Sequence, residues 1–214
     1  MAEPSASPSS VRSRGTLLLV VVGAVWLTLA GLAAWAGLIV RDPDEPPLRI
    51  GLAAGLPVVL VGSALLVRRF RAWVETLDLT VLINLQCWRV AGFAFLALYA
   101  QDLLPASFAV PAGYGDIVVG LAAPFVAIHV LRRGRAARPV FLGFTFFGIA
   151  DFVVAIGMGI VNGIGAREAL PDGTLTTPPM AELPLSLIPT FAVPFLLVLH
   201  LLSLVRFRAH LAGR

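Results

Sequence analysis

QCWRVAGFAFLALYAQDLLPASFAVPAGYGD, residues 86–116, is the stretch whose reading decides the fold. Gln86 and Arg89 stand three residues apart at its start. An unbroken apolar run follows from Val90 to Ala100, then a break at Gln101–Pro105, then a Pro- and Gly-rich segment ending in Asp116. A long apolar run between polar breaks reads as a helix that crosses a membrane and turns back. Around it, five further apolar runs predict an all-α membrane protein of six spans.

The composition agrees. Of 214 residues, 58% are hydrophobic and 13% charged, with a mean hydropathy of +0.92. Soluble domains carry about a quarter charged residues. The net charge of +4 does not point to nucleic acid, because the arginines fall in short clusters between apolar runs, as membrane topology requires. All 16 basic residues are Arg, in keeping with a GC-rich bacterial genome. The single cysteine, Cys87, excludes an internal disulfide framework and any Cys-only metal site. It lies in an apolar run and reads as a buried, inert thiol.

Residues 1–15 are polar and Pro-broken and predict a disordered cytoplasmic tail. The spans follow at about 16–40, 48–67, 80–104, 114–131, 139–161 and 183–205, and a basic tail, 206–214, ends the chain. The first run exceeds the h-region of a signal peptide and reads as a retained helix. A charged turn at 41–47 and a loop at 162–181, holding Arg167 and Glu168, join spans one to two and five to six. If the N-terminus is cytoplasmic, twelve arginines fall on inside segments: Arg12, Arg14, Arg68, Arg69, Arg71, Arg132, Arg133, Arg135, Arg138, Arg206, Arg208 and Arg214. Three, Arg41, Arg49 and Arg167, fall outside. The positive-inside rule therefore places both termini in the cytoplasm.

Spans three and five share Gly-Phe-X-Phe (Gly92–Phe95, Gly143–Phe146). Spans four and six share Ala-X-Pro-Phe followed by His (Ala122–Phe125 with His129, Ala192–Phe195 with His200). This predicts two parallel helix pairs related by an axis along the membrane normal.

Ionisable groups in hydrocarbon are costly and usually face the bundle interior. Gln86, Arg89 and Asp151 read as a buried polar path. Arg89 needs an acid such as Asp151 if the third span begins near Leu79; it snorkels at the interface if the span begins near Leu85. Asp151 lies mid-span on either boundary. Asp116, Glu182 and Tyr114 read as an outer vestibule, although acids at helix starts also serve as caps. His129 and His200 end their spans at matched depth, the arrangement a bis-histidine haem b needs; an interfacial role is the plainer alternative. No phosphate loop, metal helix or nucleophile elbow occurs, so neither a catalytic constellation nor a metal site is expected.

The run from Gln86 to Asp116, with the Pro-Phe and His of span six, resembles small bacterial multi-pass proteins with no assigned activity. The resemblance covers spans three to six and implies residence in the bacterial inner membrane. Three functions stay open: a small-solute or ion permease, a haem b redox protein, and a membrane scaffold or subunit. The expected partners are the lipid bilayer and a small solute or ion. Six short spans suit either a complete bundle or one half of a homodimer.

Overall fold

Asp78 sets where the central span starts. Its carboxylate accepts hydrogen bonds from the amides of Thr80 at 2.8 Å and Val81 at 3.2 Å, the work of an N-cap. The computed structural model describes residues 8–39, 48–163 and 175–213, with side chains from Arg14 onward. Among them every regular element is helical: α1 (Pro8–Trp35), α2 (Leu48–Ala64), α3 (Arg68–Val74), α4 (Leu79–Asn84), a 3₁₀ segment (Leu85–Gly92), α5 (Phe93–Ala100), α6 (Ala106–Arg133), a 3₁₀ turn (Gly134–Ala137), α7 (Arg138–Val161), a 3₁₀ turn (Pro178–Ala181), a π-helical turn (Ile188–Ala192) and α8 (Val193–Leu211). The first seven residues, the turn at 41–47 and the loop centre with Arg167 and Glu168 lie outside the described residues.

Four helical stretches are long and apolar enough to cross a membrane, or five if α2 and α3, which meet at a bend of 102°, count as one. One of the four is the 56-residue stretch Ala106–Val161. Straight, it would measure about 84 Å, nearly three times the hydrocarbon thickness. It folds back at Gly134–Ala137 instead, so that Ser107 near its start donates to Asn162 at its end, at 2.7 Å.

Several boundaries differ from the sequence reading. Helix α1 already begins at Pro8, inside the expected tail. Helix α2 stops at Ala64, three residues short of the expected end of span two at 67, and the arginine cluster that follows forms α3. There Arg68, Arg69 and Arg71 are exposed, while Phe70 and Trp73, 5.3 Å apart, pack on the core. This amphipathic piece lies across the end of the bundle. Helix α6 starts eight residues before the expected Tyr114, because Pro111 is accommodated within it. Neighbouring groups can re-satisfy the carbonyl that such a proline frees. Helix α8 runs on to Leu211, past the expected boundary at 205. Arg206, read from sequence as part of a tail, is buried and donates from Nε to the Leu77 carbonyl at 2.8 Å.

Helix α6 is the centre of the bundle, packed on α4, the 3₁₀ segment, α5 and α7, while α8 packs on α4, α2 and α7. Contacts fix the directions. Arg206 of α8 meets Leu77 just before α4, and the Gln86 side chain reaches the carbonyl of Leu196. The span α4–α5 thus runs parallel to α7 and antiparallel to α6 and α8. One apolar cluster, with Phe141 and Phe207 stacked at 4.1 Å, fills the end where the exposed arginines gather. Another, built on Leu104 and the Phe95–Phe108 edge contact at 5.5 Å, fills the opposite end. Helix α2 buries no residue, and α1 holds on mainly through Leu19, Ala30 and Trp26, whose ring meets Phe191 and Phe195.

The shared motifs fall in unlike surroundings. Gly92 is wedged against Asp116, whereas Gly143 faces open space. Pro124 lies inside α6, but Pro194 opens α8. His129 is half-buried and His200 wholly buried.

Candidate functional site

The 3₁₀ segment turns a sequence spacing into a straight file. With three residues per turn, Gln86, Arg89 and Gly92 stand directly above one another, and these three are the segment's buried residues. An α-helix would place each about 60° from the last. Runs of 3₁₀ longer than three or four residues are uncommon; this one has eight.

Glycines let the neighbouring helices close on that file. A Cβ on Gly120 of α6 would come within 2.5 Å of the Val90 amide, and one on Gly92 within 2.5 Å of the Asp116 Cβ. A Cβ on Gly115 would fall on the Asp151 carboxylate, and one on Gly148 on the His200 ring. The Gly-Tyr-Gly-Asp run is therefore an interface. Gly113 and Asp116 look toward the 3₁₀ segment, Gly115 looks toward α7, and Tyr114 is left on the exposed face, 60% accessible.

Arg89 fills the space so made, its side chain fully buried. Its Nε donates to Asp116 Oδ1 at 2.6 Å and its Nη2 to Asp151 Oδ2. Nη1 donates to the Gly148 carbonyl at 3.1 Å and faces His200 Nε2 at 3.5 Å. The guanidinium carbon lies 3.8 Å from the centroid of the Phe152 ring, a cation–π contact. One fork thus ties the 3₁₀ segment to α6, α7 and α8. This guanidinium is shared by two carboxylates, so with both acids ionised the core carries a formal charge of −1.

Two buried polar atoms, on residues one helical turn before Arg89 and Gly148, have no partner. Gln86 donates from Nε2 to the Leu196 carbonyl at 3.0 Å, but its Oε1 is buried and accepts nothing. Thr145, one turn before Gly148 on α7, has a buried Oγ1 without a partner. Ser186 Oγ, near the π-helical turn, is the third such atom among the described residues.

The structure brings Gln86, Arg89 and Asp151 together and adds Asp116 to them. It does not keep Asp116 with Glu182 and Tyr114 in a vestibule. Asp116 is the eleventh residue of α6, well inside the helix, and Glu182 is exposed in the turn before the last span. Nor are the two histidines at matched depth. His129 follows Asp116 by thirteen residues on α6, about 20 Å of helix, while His200 stands beside the arginine that holds Asp116. They diverge because α8 continues to Leu211, leaving His200 deep in the bundle. Cys87 is half-buried, packed on the apolar cluster around Phe141. Among the described residues no three His, Cys, Asp or Glu side chains gather as a metal site would need.

Apolar helices of membrane-crossing length, closed around a buried cluster of charge, mark a membrane-associated helical protein. The chain belongs to the family described as "Domain of unknown function (DUF8737)", whose model matches residues 46–208. That span begins after α1 and contains Arg89 with Asp116, Gly148, Asp151, Phe152 and His200. No curated protein and no solved structure matches the chain.

Proposed function

We propose that the chain is a small-solute or ion permease of the bacterial inner membrane, with six spans and both termini in the cytoplasm. Twelve arginines against three support that threading, and so does the fold-back at Gly134–Ala137 between α6 and α7. The observation that carries the function is the sharing of Arg89 between Asp116 and Asp151. Each such ionised side chain costs about 2.5–3.5 kcal/mol to insert at mid-membrane, and buried ion pairs can often be replaced by apolar packing without loss. A bundle needing only cohesion would not require three of them.

The working step is an exchange of partners. Asp151 leaves Arg89 when another positive charge satisfies it, which loosens the tie between α7 and the 3₁₀ segment. The α6–α7 hairpin can then rock against the remaining spans. The competing reading is a purely structural clamp, favoured by the way Arg89 joins four elements. Asp151→Asn in proteoliposomes separates the two. The permease reading expects normal folded yield and abolished flux. Collapse of yield, with no flux in the parent protein, would make Arg89 a clamp.

A further inference from the structure

Counted group by group, the core of the bundle is one positive charge short of neutrality. Arg89 supplies one, and Asp116 and Asp151 are both paired with it. His200 adds none. Its Nε2 stands 3.5 Å from Arg89 Nη1, an atom that already donates to the Gly148 carbonyl. An imidazolium there would set one N–H against another and bring two cations face to face. His200 is therefore neutral, with the lone pair of Nε2 turned to the arginine. Phe152 meets the guanidinium through its ring and carries no formal charge.

The remaining elements do not make up the difference. Helices α4 and α5 have no charged side chain, and Tyr99 and Tyr114 are exposed. His129 lies about 20 Å along α6 from Asp116. Arg206 is six residues beyond His200, about 9 Å of helix, and is held at the Leu77 carbonyl. Water does little to screen the excess, because the side chains of Asp116 and Asp151 are only 16% and 8% exposed. Neutral hydrogen-bond donors spread such a charge without cancelling it. A buried charge that lacks a counter-charge neutralises by gaining or losing a proton, and two carboxylates competing for one site are where a proton is shared.

We propose that Asp116 and Asp151 together bind one proton, and that a proton is the ion to which transport is coupled. The proposal deepens the permease reading and rests on it. The proton belongs to the pair, and its place on Asp151 is the one that does work. There one O–H bond forms with a proton from water, and the ion pair with Arg89 becomes a neutral contact. Arg89 and Asp116 remain matched one to one, so the formal charge of the core goes from −1 to 0. Helix α7 is then released from the 3₁₀ segment in the electrically neutral state, the one cheapest to move within a membrane. Loss of the proton to water restores the ion pair.

The test is infrared difference spectroscopy of the detergent-purified full chain through a pH titration, reading the C=O stretch of a protonated carboxyl. Exposed acids ionise near about pH 4. The expected result is one further carboxyl that stays protonated well past that point and ionises reversibly as pH rises. Asp116→Asn and Asp151→Asn should each abolish its signal, because either leaves a single carboxylate matched to a single guanidinium. An acid protonated through burial alone would keep its signal when its neighbour is replaced. The proposal is overturned if the parent protein shows no such signal, or if the signal survives either replacement. Should a variant fail to fold, isotopic labelling of the aspartate carboxyls in the parent decides: the band must shift with the label, and an unshifted band overturns the proposal. A protonated pair without flux in proteoliposomes under an imposed pH gradient would sink the permease reading and leave the proton site. Solute flux indifferent to the gradient, with no acid signal, would do the reverse.

Discussion

Replacing Gly115 by alanine places a methyl group on the Asp151 carboxylate, and the consequence can be weighed term by term. In a helix interior, Gly→Ala by itself gains about 0.5–1 kcal/mol. Gly143 and Gly157 on α7 have nothing within 4 Å of an added Cβ, so alanine there should deliver that gain. At Gly115 the gain is opposed by overpacking, which costs about 1–3 kcal/mol, and by displacement of Asp151 from Arg89. Breaking a buried pair costs about 3–5 kcal/mol, here reduced because Asp116 still holds the guanidinium. The net expectation is a loss of about 2–4 kcal/mol. Thermal unfolding in detergent should therefore rank Gly143→Ala at or above the parent and Gly115→Ala well below it. The cause can be isolated with a double-mutant cycle: in an Asp151→Ala background the obstructing carboxylate is absent, and Gly115→Ala should cost little. If Gly115→Ala matches the parent, or costs the same with and without Asp151, then α6 and α7 do not meet as described.

Arg89→Lys should fold poorly, because an ammonium cannot reproduce a fork directed at once to Asp116, Asp151 and Gly148; size-exclusion profiles of the expressed variant would show it. Asp78→Ala should lower stability by about 1 kcal/mol through loss of the cap on α4, while Asp78→Asn should cost only a fraction of that; paired unfolding curves decide. His200→Ala should destabilise clearly, as it empties a packed position against Phe144 and Phe152, and His129→Ala should not; equal losses would contradict their different burial. Protein purified under ample haem supply should show no Soret band that disappears in both His129→Ala and His200→Ala, because about 20 Å of helix separates their levels.

The all-helical, apolar character of the chain and the Arg89–Asp151 encounter were within reach of the sequence, the second for one reason. A lone arginine in an apolar run has few places to put its charge, and Asp151 lay mid-span on any boundary. Asp116 escaped because Pro111, Gly113 and Gly115 carry the signature of a loop, and nothing local distinguishes glycines that break a helix from glycines that admit a neighbour. The spacing of Gly113, Asp116 and Gly120 at i, i+3 and i+7 was the available sign, since it draws one face of a helix through all three. The histidines were set at equal depth by ending the last span at its first arginine. Arg206 is buried, donating to a carbonyl at the α3–α4 elbow, and hydropathy cannot tell such an arginine from one that has reached water. The 3₁₀ segment has no compositional signature at all. It is imposed by packing, where Gly120 and Gly113 bring α6 against Val90 and Leu96.

Relaxation of that segment would amount to a definite mechanical stroke. Eight residues relaxing from 3₁₀ to α geometry would shorten by about 4 Å and unwind the two flanking helices relative to each other by about 160°. Gln86 would swing about 60° away from its place beneath Arg89, carrying its vacant oxygen out of line with the arginine. The same movement would draw the Asp78 end of α4 inward by more than a tenth of the hydrocarbon thickness. Rotation and piston travel would thus be geared together in one stretch of backbone, with the charged cluster seated on the shaft.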